Sequence, residues 1–269
     1  MKIEFVTHCY CPPTLKIYAK HLRIQLESLR HTPAQACVCY TRDDEITCRT
    51  LSDFGVEHHG EMTVTRHNGL NLRTIPMEQR TLFRRSIGRN IAALTSAADV
   101  VWFTDADYFF NPAPYFRTPL EHHDWTDAPF IFPATVNRSK THADGDALLA
   151  SEYPVTTNID DNATAFCHFV KQSQWMPVGT GRAIGGIQIV SGDIARKWGY
   201  LNNDKRWQRP VDEADGFRRC RCDVAYRRWL NAKANISARH VSIPHVYRIR
   251  HTTNGRDLDA AGQPMDSAP

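Results

Sequence analysis

The segment VVWFTDAD, residues Val100 to Asp107, contains the clearest structural signal in the chain. Its first four residues are apolar, which predicts a strand buried on both faces, as in a parallel sheet covered by helices. Two acids, Asp105 and Asp107, follow where that strand ends. Unpaired buried carboxylates are costly, and hard cations such as Mg²⁺ and Mn²⁺ commonly join carboxylates to substrate phosphates. The two acids therefore predict a cation site, or alternatively a strand-end turn with solvated side chains.

Strands and helices alternate along the chain before this segment. The alternation predicts a mixed, mainly parallel sheet flanked by helices, with ligands bound outside the carboxyl ends of the strands. The predicted strands are Lys2 to His8, Ala36 to Tyr40 and Thr63 to Thr65, and the predicted helices cover Leu15 to Leu29, the region of Cys48 and Leu51, and Gln79 to Ala97.

The second half of the chain is less regular. We predict one domain over residues 1–253, with halves at 1–107 and 108–253, followed by a flexible polar tail over 254–269. Its predicted elements are the strands Phe130–Phe132 and Ile187–Val190, a helix from Asp223, and one strand or a pair over Val241–Ile249.

Composition excludes several classes of protein. Of the 269 residues, 42% are hydrophobic and 23% are charged, so the chain is neither disordered nor collagenous. A net charge of +4 is too small to argue for nucleic acid by itself. No apolar run approaches the ~20 residues of a membrane span, and the first residues resemble a strand rather than a secretory signal. We therefore expect a cytoplasmic protein whose eight cysteines are thiols.

Four of the cysteines fall on two predicted strands. Cys37 and Cys39 share one face of the second strand, and Cys9 and Cys11 share a face if the first strand runs that far. If those strands pair, the four thiols are expected to cluster. Their spacing is not that of a zinc site, so buried core thiols are the favoured interpretation.

Four short motifs occur in a fixed order within residues 1–110. They are Thr7-His8-Cys9-Tyr10, Asp43-Asp44, Gly88-Arg89-Asn90 and Asp105-Ala106-Asp107. In this order and spacing the chain resembles the family 2 glycosyltransferases and their relatives. The resemblance implies a GT-A-like (Rossmann-like) fold and a transferase that moves a sugar from a nucleotide diphosphate sugar, UDP-linked, to a hydroxyl acceptor with inversion. It also implies Mn²⁺ or Mg²⁺ as the cofactor.

The resemblance assigns roles to the first three motifs. Thr7 and the loop after it would line the nucleotide base, and Asp43 or Asp44 would contact the base or the ribose. Arg89 would lie near the nucleotide or brace the loop that carries the last motif. The alternative for Arg89 and Asn90 is a pair of polar side chains on the helix surface.

The last motif is implied to bind both donor and metal. Asp105 would lean toward the ribose, and Asp105 and Asp107 would ligate the metal on the diphosphate. Several relatives complete the metal site with a histidine on a late strand, which His251 matches, with His245 in reserve. Imidazole suits Mn²⁺ better than Mg²⁺. A structural or exposed histidine is the alternative.

Two segments in the second half of the chain also resemble the family. Gly185 and Gly186 would frame the donor sugar, because glycine permits close backbone approach, or they would simply form a hairpin or bulge. Asp223 matches the general base of inverting relatives, although Cys222 replaces the Glu that precedes it there. Asp223 would equally suit a helix N-cap. The reserve bases are Asp193, Asp212, Glu213 and Asp215.

Other functions are also compatible with the sequence. Arginines could track the phosphates of nucleic acid, in the segment Phe217–Arg221 and at Arg80, Arg84, Arg85 and Arg89. A transferase acting on hydroxylated DNA bases would combine both functions, so the acceptor is a glycan, a small molecule or modified DNA. A third possibility is a binder of nucleotide sugars without turnover. Oligomeric state is open.

Overall fold

The computed structural model describes residues 1–12, 16–111, 119–211 and 221–251. No helix within these ranges is both long and apolar enough to cross a membrane. The main elements in chain order are β1 (Ile3–His8), α1 (Ile17–Ser28), β2 (Gln35–Tyr40), α2 (Glu45–Ser52), β3 (Thr63–His67), β4 (Leu70–Pro76), α3 (Gln79–Phe83), α4 (Arg85–Thr95), β5 (Val100–Phe103), β6 (Tyr108–Phe110), β7 (Phe130–Pro133), β8 (Thr135–Ser139), α5 (His142–Ala150), α6 (Ile159–Lys171), β9 (Trp175–Gly179), β10 (Gln188–Ser191), α7 (Gly192–Trp198), α8 (Cys222–Ala234), β11 (Arg239–Val241) and β12 (Val246–Arg248).

Eight strands form the larger sheet, in the order β11-β7-β10-β5-β1-β2-β4-β3. β1 pairs in parallel with β2 and β5, and β2 pairs in parallel with β4. β3 and β10 run antiparallel to their neighbours. The predicted mixed, mainly parallel sheet is therefore confirmed. All of β5 is buried, and Trp102 packs against Phe5 with ring centroids 5.4 Å apart. The carboxyl ends of the parallel strands consequently meet at one edge of the sheet.

Several elements differ from the prediction, and β6, β8, β9, α5, α6 and α7 were not predicted at all. β4 was not predicted, although it forms a hairpin with β3 through Asn68 and Gly69, both with positive φ, a pair typical of two-residue hairpin turns. The single helix predicted over Gln79–Ala97 is two helices, because the backbone at Arg84 leaves the helical region with ψ 76°. The predicted pair over Val241–Ile249 is β11 and β12, which belong to different sheets.

A second, smaller sheet follows the acidic segment. It has the order β6-β12-β8-β9, and α6 covers it with an aromatic cluster in which Phe109 contacts Phe166 and Phe169. β6 begins directly after Asp107, and β12 pairs with it antiparallel so that Arg248 lies opposite Tyr108. This pairing brings the last described strand of the chain to the acids that follow β5.

Gly88 allows α4 to approach the larger sheet closely. A Cβ at this position would overlap the His8 imidazole and would lie 2.9 Å from Cys39 Sγ. The close approach brings the next residue, Arg89, into the interior, where its side chain is fully buried. Asn90 is also buried, so the alternative of a polar pair on the helix surface is wrong.

The four strand cysteines do not form one cluster, although β1 and β2 pair as expected. Cys9 Sγ accepts from Thr47 Oγ1 at 3.4 Å and lies toward α1 and α2. Cys39 lies on the opposite face of the sheet, near His8 of β1 and Gly88 of α4. Cys37 is its neighbour on that face. All cysteines in the described ranges are free thiols.

Candidate functional site

Asp105 lies just beyond the end of β5 and is held by two arginines of α4. Its Oδ1 accepts from Arg85 Nη1 at 2.7 Å and from Arg89 Nη2 at 3.1 Å. The Asp105 side chain nevertheless remains 31% exposed, whereas that of Arg89 has no exposure. The acid therefore sits at an opening of the fold and is oriented from the inside by a buried guanidinium group.

Arg89 also holds the glycine segment that precedes β10. Its Nη2 donates to the Gly185 carbonyl at 2.8 Å, and its Nη1 donates to the Tyr200 hydroxyl at 3.1 Å. Of the two roles that the resemblance implied for Arg89, its contacts correspond to bracing the loop of Asp105. One buried side chain thus fixes three separate segments of the chain relative to each other.

Asp107 presents one paired and one unpaired carboxylate oxygen. Oδ2 accepts from Arg248 Nε at 2.8 Å, and the negative charge of Asp107 raises the pKa of Arg248 above its usual value. Oδ1 is buried and has no hydrogen-bond partner among the described residues. Since a buried carboxylate oxygen is costly without a partner and is a preferred ligand of Mg²⁺ and Mn²⁺, Asp107 fits a divalent cation.

The structure places His251 beside α1. The His251 ring meets the ring of His21 at a centroid distance of 4.8 Å and that of Tyr18 at 6.0 Å. In the described ranges, no three His, Cys, Asp or Glu side chains are grouped closely enough to hold one metal ion. The predicted set of Asp105, Asp107 and His251 is therefore not assembled as a three-ligand group.

His21 is a titratable residue that the sequence analysis missed. It is 1% exposed, and neither ring nitrogen has a hydrogen-bond partner within the described ranges. Burial lowers the pKa of His21 well below its usual value, and the nearby His251 and Arg248 lower it further. No sequence spacing marks it, because its helical position is an ordinary core position.

Acidification is expected to destabilise the protein through His21. The pKa of His21 in the unfolded chain is about 6.5, and below this pH the unfolded chain binds a proton at His21 that the native state does not. The free energy of unfolding is therefore unaffected by His21 above this pH and decreases as the pH falls below it. The free energy of unfolding should drop by about 1 kcal/mol between pH 6.5 and 5.5 from this group. Urea unfolding at both pH values should show the smaller drop in His21→Gln, and an unchanged drop would refute the expectation. His168→Gln, which removes an exposed imidazole, is the control.

Gly185 and Gly186 form a turn that packs against the acidic segment. A Cβ at Gly185 would lie 3.4 Å from Asp105 Oδ2, and one at Gly186 would overlap the Tyr108 ring. The backbone N–H of Gly185 donates to Asp223 Oδ2 at 3.2 Å. The turn therefore separates Asp105 from Asp223 by a single backbone segment.

Asp223 lies in the first turn of α8 and does not cap it. The N-cap is Arg221, and no side chain caps this helix, so the helix-cap interpretation of Asp223 is wrong. The carboxylate instead accepts from Gly185, and the Asp223 carbonyl accepts from Gln188 Nε2 at 2.8 Å. Of the reserve bases, Asp193 is exposed and pairs with Arg196 on α7. Asp212, Glu213 and Asp215 lie outside the described residues.

The predicted nucleotide contacts differ in accessibility. Asp44 is buried and caps α2: its carboxylate accepts from Thr47 N at 3.0 Å and from Cys11 N at 2.6 Å, and burial raises its pKa. Asp44 thereby joins the loops after β1 and β2. Asp43 has a side chain that is 72% exposed. Thr7 is buried within β1, and its hydroxyl has no partner in the described ranges.

Three residues that the sequence analysis did not single out position the site. Gln25 of α1 donates to the carbonyls of Asp105 and Tyr108 at 3.1 and 2.8 Å. The Tyr200 hydroxyl donates to Gln188 Oε1 at 2.7 Å. Together with the bonds of Arg89 and Asp223, the Tyr200–Gln188 pair connects the acidic segment to α8 through buried and partly buried hydrogen bonds.

The arginines of α3 and α4, and Arg84 between the two helices, are engaged within the protein. Arg80 Nε donates to the Val211 carbonyl at 3.1 Å and Arg84 Nε to the Arg209 carbonyl at 3.2 Å, while Arg85 and Arg89 pair with Asp105. These contacts do not favour a patch that tracks phosphates. In the segment Phe217–Arg221, only Arg221 lies within the described residues, where it is exposed.

Comparison with known proteins gives distant structural likenesses. No protein-family model and no curated protein matches the chain. Among solved structures, the chain is similar to the mannosyltransferase PcManGT from Pyrobaculum calidifontis in complex with GDP-Man and Mn²⁺, with 11% identity, TM-score 0.49, and coverage of 94% of this chain and 58% of that one. It is also similar to S. aureus TarS 1–349, with 14% identity, a TM-score of 0.49, and coverage of 92% of this chain and 60% of that one. A third likeness is to the galactosyltransferase LgtC in complex with donor and acceptor sugar analogs, with 15% identity, a TM-score of 0.40, and coverage of 77% of this chain and 63% of that one. The chain thus spans about three fifths of the length of these three structures.

Proposed function

We propose that this chain is a GT-A-like glycosyltransferase that binds a nucleotide diphosphate sugar with Mn²⁺ or Mg²⁺ and transfers the sugar to a hydroxyl group. The observation that carries the proposal is the buried Oδ1 of Asp107, which has no hydrogen-bond partner among the described residues. It lies beside Asp105, which two arginines hold at the carboxyl end of a buried parallel strand. In open α/β sheets ligands bind at that end of the strands. A UDP-linked donor and inversion are part of the proposal, as the resemblance over residues 1–110 implies.

The acids of the last motif would hold the metal. Asp107 would supply Oδ1, the carboxylate oxygen without a partner in the described part of the chain, and Asp105 lies beside it with its orientation set by Arg85 and Arg89. A bound divalent cation would stabilise the negative charge that develops on the leaving diphosphate. Arg248, whose side chain is 39% exposed, adds a positive charge next to Asp107.

Asp223 is the proposed general base. Its Oδ2 is oriented by the Gly185 N–H, and a carboxylate can take the proton of an acceptor hydroxyl as that oxygen bonds to the anomeric carbon and the bond to the diphosphate breaks. The backbone at Gly185 lies between Asp105 and Asp223 and approaches both closely because it carries no side chain. If base and leaving group face each other across the sugar, the configuration inverts.

Binding of nucleotides with and without metal tests the proposal. Calorimetric titration of the protein with UDP, GDP and TDP, each with Mn²⁺ and with EDTA, should show one nucleotide that binds at least about a hundredfold tighter with the metal. Slow metal-dependent release of that nucleotide from its sugar conjugate would distinguish an enzyme from a binder without turnover. Absence of metal-dependent binding for all three nucleotides would contradict the proposal.

A further inference from the structure

Two arginines, Arg182 and Arg227, lie near Asp223, the proposed general base. Arg227 lies one helical turn after Asp223 on the same face of α8, and Arg182 lies in the loop that leads to Gly185. Arg182 and Asp223 both act electrostatically on Arg227, so the three charged groups are neighbours. Arg182 is exposed, and Arg227 is partly buried with a buried Nε that has no hydrogen-bond partner in the described ranges.

These arginines differ from the others around the site. Arg85, Arg89 and Arg248 each pair with Asp105 or Asp107. Within the described ranges, by contrast, neither Arg182 nor Arg227 forms an ion pair. Burial lowers the pKa of Arg227 below its usual value, and the positive charge of Arg182 lowers it further, whereas the negative charge of Asp223 raises it.

We propose that the acceptor carries an anionic group, a phosphate or a carboxylate, which Arg182 and Arg227 bind while its hydroxyl faces Asp223. The inference rests on the proposed transferase function and names the class of acceptor. Guanidinium groups recognise phosphate and carboxylate through paired hydrogen bonds, and an anion between the two arginines relieves their repulsion. A glycan or small molecule fits two such groups, whereas duplex DNA requires a longer row of free cations than the engaged arginines of α3 and α4 leave.

Matched neutral and anionic sugars test this inference. The probes are glucose, glucose 6-phosphate and glucuronate, titrated by ligand-observed NMR with and without the nucleotide and Mn²⁺. At least one anionic sugar should bind about tenfold or more tightly than glucose, and the Arg182→Gln/Arg227→Gln variant should lose that preference. The control, Arg49→Gln/Arg66→Gln, removes the same charge from two exposed positions on α2 and β3 and should keep it.

The outcomes separate the acceptor class from the proposed function. Equal or absent binding of the three sugars to the wild type, or a preference that survives in Arg182→Gln/Arg227→Gln, would overturn the anionic acceptor. An equal loss of nucleotide affinity in that variant would assign the two arginines to the donor diphosphate instead and also overturn it. Tighter binding of a duplex DNA oligonucleotide that depends on the same arginines would point to a nucleic-acid acceptor. If no nucleotide binds with metal, the transferase proposal fails on its own, whatever the sugars do.

Discussion

Asp107→Asn is expected to lower the affinity for the nucleotide in the presence of Mn²⁺ by about a hundredfold, while the affinity in EDTA changes little. Replacing residues that merely orient a metal ligand costs 10- to 100-fold in metal affinity, so removing a direct ligand costs at least the upper part of that range. Asparagine preserves the size and shape of the side chain but removes its negative charge. The measurement is calorimetric titration of wild type and variant, with Mn²⁺ and with EDTA.

The control for Asp107→Asn is the same substitution at an exposed acid. Asp160 lies in the first turn of α6 and is exposed, so Asp160→Asn should leave the effect of Mn²⁺ on nucleotide binding unchanged. Loss of the ion pair with Arg248 could also weaken the fold, and the free energy of unfolding without metal identifies that contribution. Full metal dependence in a folded Asp107→Asn protein would show that another group binds the cation.

The sequence predicted the larger sheet where local patterns were strong. The wholly apolar β5 and the alternation before it indicated a buried, mainly parallel sheet. β4 escaped prediction because Arg73 interrupts it. In the structure Arg73 is buried through two bonds to Glu4 of β1, at 2.8 and 2.9 Å. A buried ion pair between residues 69 positions apart leaves no local signal, whereas the Asn68-Gly69 turn did offer one.

The site was predictable only in part for the same reason. Spacing after β5 identified Asp105 and Asp107, because two acids at the end of an apolar strand are visible in one short segment. Their partners are not local: Arg248 is 141 residues from Asp107, and Tyr200 is 111 residues from Arg89. Asp44 is a case in which the local signal was present but was interpreted differently. An acid directly before a helical pattern is typical of an N-cap, which Asp44 is, whereas the prediction gave it a contact with the nucleotide.

Arg89→Met is expected to lower the free energy of unfolding by about 3 kcal/mol, the cost of breaking a buried charge network by removing one member. Methionine approximates the length and volume of the side chain but donates no hydrogen bond. The Gly185 carbonyl and Tyr200 hydroxyl would lose their buried donor, and Asp105 Oδ1 would lose one of the two arginines that donate to it in the described ranges.

Arg85→Met isolates the part of this effect that comes from burial. Arg85 and Arg89 both donate to Asp105 Oδ1, but the Arg85 side chain is 15% exposed and that of Arg89 is not exposed. Water can replace a lost bond at the rim, so Arg85→Met should cost about 1 kcal/mol or less. Urea unfolding of both variants at pH 7 measures the difference. Equal losses would mean that Arg89 stabilises the fold only through Asp105, and that its bonds to Gly185 and Tyr200 contribute nothing measurable.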